Sequence, residues 1–194
     1  MAQIGAVGET IEDQRTQLIE IIQQRSYRHG VEIKLASGRL SDFYVNLKPT
    51  MMHSKGAYLI ASLVLDRLCK EHVQLVGGLE MGAVPLTAAV AALSQARGQP
   101  INGFFVRKKA KDHGTQSLVE GLAPGEFLQD RSIVILEDVT TTGGSALQAV
   151  RSLEDAGARV LRLITVVDRL EGAAETFAEA GITFESLLTA KDLR

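Results

Sequence analysis

The chain has 194 residues, a length that suits one domain and suffices for a substantial core. Apolar residues make up 45%, charged residues 23%, and the net charge is −2, so the overall balance points to neither nucleic acid nor an acidic membrane. Any basic site has to be local. The single cysteine, Cys69, excludes an internal disulfide, and its amphipathic setting "LVLDRLCKE" reads as a place for a small buried hydrophobe. "MAQIGAVGETIEDQ" lacks a basic region followed by an apolar one, and no apolar run nears the roughly 18 residues that span a bilayer. The expectation is a cytoplasmic protein.

In chain order, "ETIEDQRTQLIEIIQQRS" (9–26) spaces Ile11, Leu18, Ile21 and Ile22 for an amphipathic helix. "VEIKLASGRLSDFYVNLKPT" (31–50) has two short β-rich runs around Ser37-Gly38, a hairpin-like pattern. Ser54 is placed to cap a helix over 55–70, with Leu59, Ile60, Leu63, Val64 and Leu68 on one side. "VQLVGGL" (73–79) is a strand ending in glycines. "AVPLTAAVAALSQA" (83–96) is a helix with Pro85 in its first turn, where a missing N–H costs least. Strands follow at 101–108, 132–138 and 159–169, with a helix at 144–157 closed by Gly157 and a short helix at 171–181. "TFESLLT" adds an edge strand. Strand–helix alternation with β-branched strands implies a parallel sheet covered on both faces, an α/β domain. One gap breaks the pattern: "KKAKDHGTQSLVEGLAPGEFLQD", more than twenty residues between strands, a length typical of functional loops.

The chemistry concentrates in "VILEDVTTTGGS" (134–145). A buried strand runs into Glu137 and Asp138, then Val139, Thr140, Thr141 and Thr142, then Gly143, Gly144 and Ser145 at a helix start. Backbone N–H groups, hydroxyls and the helix dipole there suit a phosphate. The two acids would repel that phosphate, so they suit another part of the ligand, such as a ribose diol or a hydrated magnesium ion. A phosphate cradle beside hydroxyl acceptors describes a sugar-phosphate site. It is not the lysine-containing P-loop, because no Gly-Lys-Ser/Thr follows the glycines. A second cluster, "VRKKAKDHG" (106–114), leaves a strand end with Arg107, Lys108, Lys109, Lys111 and His113. It reads as a solvated basic loop or as a cationic arm that closes over a polyphosphate. In "VVDRLEG" (166–172), Arg169 either forks onto a carboxylate or base edge or pairs with a neighbouring acid. Tyr44 and Val45 in "SGRLSDFYVN" are able to flank a planar ring, although the segment taken alone reads rather as hydrophobic core. His29, His53 and His72 have no metal-ligand spacing and receive no role.

Together, "VILEDVTTTGGSALQAV", "RKKAKDHG" followed by "VEG", "LASGRLSDFYVN" and "VVDRLEG" resemble the orotate phosphoribosyltransferases, a branch of the type I phosphoribosyltransferase family. The resemblance implies an α/β fold with a central, mostly parallel sheet flanked by helices, in a single domain. A small hood, mainly 1–50 plus the C-terminal segment, would cover a core of about 55–170. It also implies Mg²⁺-dependent transfer of ribose 5-phosphate from phosphoribosyl diphosphate to orotate in UMP biosynthesis. Glu137 and Asp138 would hold the ribose hydroxyls, and Val139 to Ser145 the 5-phosphate. Arg107, Lys108, Lys111 and His113 would contact the diphosphate, reaching into the partner's site of a homodimer; Lys111, Asp112 and His113 would be the catalytic residues. Thr141 and Arg169 would contact orotate, and Tyr44 and Val45 would flank its ring. The diphosphate and waters, rather than protein side chains, would carry the metal. Ala36 and Met81 stand where many relatives carry lysine, and Lys109 adds a charge where an acid is common. A purine-specific phosphoribosyltransferase fits "VVDRLEG" and the loop less well. A nucleic-acid-binding regulator on this fold would need a broad basic face, which the composition lacks.

Overall fold

The computed structural model describes residues 9–34, 40–108 and 118–194. Helix α1 (Ile11–Arg25) begins at a reciprocal cap: the Thr10 hydroxyl accepts the Asp13 N–H at 3.1 Å, and the Asp13 carboxylate accepts the Thr10 N–H at 3.0 Å. Leu18 and Ile22 are its buried stripe, whereas Ile11 is exposed. Strands β1 (Tyr27–Lys34) and β2 (Leu40–Val45) pair antiparallel as a separate ribbon, whose register shifts between His29 and Ile33. A short helix, α2 (Lys48–Met51), leads into α3 (Ser54–Leu68).

Two expectations for this region need correction. Ser54 lies inside α3 and does not cap it. His53 takes the cap position, its backbone extended at φ −91° and ψ 129°, with Nδ1 accepting the Gly56 N–H at 3.4 Å. Cys69 is exposed and not a buried hydrophobe; its thiol donates to the Asp66 carbonyl at 3.1 Å. The apolar stripe of α3 ends at Leu68, and the next residue is turned about 100° away from it.

The remaining chain alternates β3 (Leu75–Leu79), α4 (Ala83–Ala96), β4 (Asn102–Val106), β5 (Val119–Glu120), β6 (Ser132–Thr140), α5 (Gly144–Asp155), β7 (Arg159–Asp168), α6 (Ala173–Glu179) and β8 (Phe184–Thr189). The sheet order is β5-β4-β3-β6-β7-β8, parallel throughout except that β5 runs antiparallel to β4. That short strand, inside the long loop, has too little sequence to betray itself. Strand β6 extends to Thr140, two residues beyond the predicted strand end, because β7 continues to pair with it as far as Thr140 opposite Asp168.

Alternate residues of β6 feed two cores. Val134 and Leu136 pack with α1, α3 and α4, against Leu18, Leu59, Leu86 and Val90. Ile133 and Ile135 pack with α5 and α6, against Val150, Leu153 and Phe177. A strand buried on both faces has no polar side, which is why its sequence is continuously apolar. The C-terminal segment returns to α1: Asp192 accepts from Arg15 at 2.5 Å, and Gln23 donates to the Leu193 carbonyl at 3.3 Å.

After β3 and β4 the chain crosses back to place β6 on the other side of β3. Adjacent connections therefore leave in opposite directions at the carboxyl ends of β3 and β6, and a crevice opens between them. Because Leu136 is fully buried beside that crevice, Leu136→Ala is expected to cost roughly 2–5 kcal/mol. That corresponds to a fall of about 4–20 °C in Tm. A thermal melt unchanged within 2 °C (roughly 1 kcal/mol or less) would contradict the packing described.

Candidate active site

The crevice holds a cavity of about 260 Å³, lined from β3 and its turn by Leu79, Glu80, Met81 and Gly82, and from β6 and α5 by residues 137–146. Lys48 of α2 and Lys108 after β4 complete the lining. The run Glu137, Asp138, Val139, Thr140, Thr141, Thr142, Gly143, Gly144 and Ser145 thus faces one space, as its sequence implies.

Glu137 is the electrostatic centre of that space. Its neighbours two and four residues back are Ile135 and Ile133, so it leaves the strand on the same face as they do. Burial, followed by the adjacent Asp138 charge, pushes its carboxyl up to about 8, and Lys108 and Lys48 pull it partly back. Its Oε2 is buried without a hydrogen-bond partner among the described residues. Asp138 leaves by the opposite face and lies against the β3–α4 turn. Its Oδ1 accepts the Val139 N–H at 2.9 Å, and a Cβ at position 82 would meet that carboxylate, so a side chain there would have to displace it.

Behind the acids the chain turns through Gly143, whose φ of +81° suits glycine and whose Cβ would meet the Phe177 ring at 2.9 Å. No side chain caps α5, and its first turn holds no acid. The unsatisfied N–H groups and the positive end of the helix therefore face the cavity. Thr141 is half-buried, and Thr142, Gly144 and Ser145 are exposed there. Thr140 differs: its hydroxyl is buried and has no partner among the described residues, while its carbonyl accepts the Arg169 N–H at 2.9 Å.

The two basic residues at the β4 end diverge. The Lys108 N–H donates to Glu80 Oε1 at 3.0 Å, and its side chain borders the cavity. Arg107 lines a neighbouring hollow with Leu118 and Gln148, its guanidinium 3.8 Å from Glu120. Lys109, Lys111, Asp112 and His113, like Ala36 and the Ser37-Gly38 turn, lie outside the described residues.

Of the residues assigned to the planar base, Thr141 lines the cavity, whereas Arg169, Tyr44 and Val45 lie outside it. Arg169 is buried; its Nε donates to Glu171 at 2.7 Å, and its guanidinium carbon sits 4.4 Å from the centre of the Phe43 ring. The neighbouring-acid pairing is therefore formed. Val45 is buried beside Phe43 in sequence alternation, whereas Tyr44 is 38% exposed on the other face of β2. Tyr44 and Val45 thus leave the ribbon in opposite directions. Three lining residues have no signal in the motifs: Glu80, Gly82 and Lys48. Lys48 stands two residues behind "FYVN", a proximity that marks it only once the ribbon is seen to end at the crevice.

Among the described residues no group of three His, Cys, Asp or Glu side chains gathers around a metal-sized space, and no helix is long and apolar enough to cross a membrane. Comparison with known proteins agrees with the geometry. Residues 51–185 match the phosphoribosyl transferase domain, which fixes the class. The orotate phosphoribosyltransferase of Bradyrhizobium sp. is 55% identical over 178 residues, 92% of this chain and 96% of that protein. The Mycobacterium tuberculosis orotate phosphoribosyltransferase in complex with Fe(III) dicitrate superposes with a TM-score of 0.79 at 38% identity, covering 93% of this chain and 98% of that one. The structure of that enzyme in complex with 5-phospho-alpha-D-ribosyl 1-diphosphate gives 0.75 at 34%, with the same coverage. This chain belongs to the orotate phosphoribosyltransferases.

The state of Glu137 makes a prediction independent of turnover. Its folded value of about 8 lies above the ordinary 4.5, so the folded protein retains a proton that the unfolded chain releases between those values. Stability therefore falls as pH rises through that window. Glu137→Gln has no proton to lose. Its Tm should match the parent near pH 5 and exceed it near pH 8.5, by roughly 2–4 °C for each kcal/mol recovered. Melting curves that stay parallel across that range would show Glu137 to be ionised in the folded protein.

Proposed function

We propose that this chain transfers the ribose 5-phosphate group from phosphoribosyl diphosphate to orotate, forming orotidine 5′-phosphate and diphosphate in UMP biosynthesis. The observation that carries the reading is the meeting, in one cavity, of an acid pair with the open amino end of α5. The donor has the complementary layout: an anionic 5-phosphate, a neutral diol and an anionic diphosphate. Val139 to Ser145 hold the 5-phosphate, through N–H groups and the hydroxyls of Thr141, Thr142 and Ser145. Asp138 and Glu137 hold the diol. A protonated Glu137 both donates and accepts, which suits a hydroxyl pair better than a second anion does.

Glycosyl transfer here requires no protein nucleophile. Diphosphate leaves C1 as positive charge develops on the ribose, and a ring nitrogen of orotate forms the new bond. The protein's part is to align donor and base, neutralise departing charge and keep out water. Lys108, with Arg107, Lys111, Asp112 and His113 of the following loop, acts on the diphosphate. Arg169 and Thr141 orient orotate, with Tyr44 and Val45 at its ring.

Mg²⁺ fits this donor set. Oε2 of Glu137 is a buried oxygen without a partner among the described residues, and Asp138 lies across the strand from it, so both carboxylates stand ready for ribose hydroxyls or an ion's water shell. Bound to the diphosphate, the ion would offset leaving-group charge. The ribbon β1–β2, α1 and the C-terminal turn act as the hood over a core of about 55–170, and the chain works as a homodimer whose basic loop serves the neighbouring site. A cytoplasmic location belongs to the same reading, because so highly charged a donor does not cross a bilayer unaided.

A spectrophotometric assay with phosphoribosyl diphosphate and Mg²⁺ should show orotate consumed far faster than uracil, adenine or hypoxanthine. Turnover of a purine with orotate inert would refute the assignment. Lys111→Ala should lower kcat by about 100-fold or more while KM for orotate changes little. If the loop acts in trans, mixing inactive Lys111→Ala and Asp138→Asn proteins should restore activity, because hybrid dimers contain one site with both residues intact. A mixture no more active than its components would count against exchange of the loop between subunits.

A further inference from the structure

We propose that Lys48 is a further donor-binding residue, supplying the diphosphate with a cation from the N-terminal ribbon; the proposal rests on reading the cavity as the donor site. Lys48 borders the same cavity as Glu137, Asp138 and Lys108, although it lies about ninety residues from the acid pair in sequence. Its ammonium is close enough to act on the Glu137 charge, in the same sense as Lys108.

The backbone that carries Lys48 is held from several sides. Its N–H donates to Asn46 Oδ1 at 3.2 Å. Leu47, Thr50 and Met51 are buried, and the Thr50 hydroxyl is 2.7 Å from that of Ser26. The stem of the lysine is therefore placed by the fold, while its charged end lies at the cavity.

Charge balance gives this position its role. Among the described residues around the cavity, the acids are Glu80, Glu137 and Asp138, and the cations are Lys48 and Lys108. The β3–α4 turn contributes only uncharged Met81 and Gly82 beside Glu80. With Glu137 holding its proton, Glu80 and Asp138 offset the two lysines, so the described walls offer a diphosphate no net positive charge and each cation carries a large share of its stabilisation. Neither lysine is bound in an ion pair among the described residues, so neither must break one to reach a ligand. A cation on α2 also ties the end of the ribbon to the donor, so that filling the cavity draws that segment toward the core.

The test separates the diphosphate from the rest of the donor. Calorimetric titrations of diphosphate with Mg²⁺, and of ribose 5-phosphate, would be run on the full-length wild type, Lys48→Met, Lys48→Arg and Asp138→Asn. Lys48→Met should weaken diphosphate about ten-fold or more, as expected on loss of a charge-assisted hydrogen bond. It should raise KM for phosphoribosyl diphosphate in parallel and leave ribose 5-phosphate within about two-fold, well under one such bond. Lys48→Arg should restore most of the loss. Unchanged diphosphate affinity in Lys48→Met would overturn the proposal, as would equal weakening of both ligands, which would mark a structural role. Asp138→Asn should weaken ribose 5-phosphate; if it does not, the reading of the cavity itself fails, whatever Lys48 does.

Discussion

Burial of the Glu137 carboxyl at the end of the central strand is the interaction on which the site depends. A carboxylate in a poorly solvated place beside another carboxylate holds its proton, and here burial is the larger cause. The strand that places it cannot be exposed without losing both cores, since β6 supplies Ile133 and Ile135 to one and Val134 and Leu136 to the other. Stability of the sheet and strain in the site are therefore the same structural fact. The acid stands near the carboxyl end of the strand, where it borders the crevice between β3 and β6.

One turn later the sign reverses. Gly143 takes a left-handed conformation, the helix begins without a capping side chain, and α5 presents donors and the positive end of its dipole. Hydroxyl acceptors and phosphate donors are thus separated by only a few residues of one connection. On the proposed function, that spacing would let the backbone itself approach a pentose phosphate. Gly82 performs the corresponding task opposite, where the lack of a side chain leaves room for Asp138. Two glycines on two connections set the width of the site.

Much of this was legible in the sequence because buried parallel strands and amphipathic helices leave strong periodic signals. The apolar run ahead of Glu137, the glycines behind it and the strand of "RVLRLITVVDR" all stand where the pattern places them. What was hidden depends on contacts between distant segments or on one residue's rotation. His53 caps α3 through backbone geometry that no local pattern reveals, since Ser54 has the better side chain for the task. Cys69 follows a buried stripe and falls just off it. Tyr44 and Val45 are neighbours in sequence and therefore opposed on a strand. Lys48 reaches the cavity only because the ribbon ends at the crevice.

The base side of the site is prepared by different physics. Arg169 follows the last residue of β7, and its N–H is bound by the Thr140 carbonyl, the last residue of β6. That hydrogen bond fixes the arginine's origin relative to the hydroxyl turn. Glu171 then holds Nε, and the Phe43 ring lies against the guanidinium, so both the direction and the tilt of its plane are determined. Phe43 belongs to the ribbon, whereas Arg169 and Thr140 belong to the sheet. The cation–ring contact therefore ties the guanidinium to the ribbon, while the Thr140 hydrogen bond ties the arginine's backbone to the hydroxyl turn. On the proposed function, donor and base would be aligned through this single arginine, and a displaced ribbon would turn the base relative to the pentose.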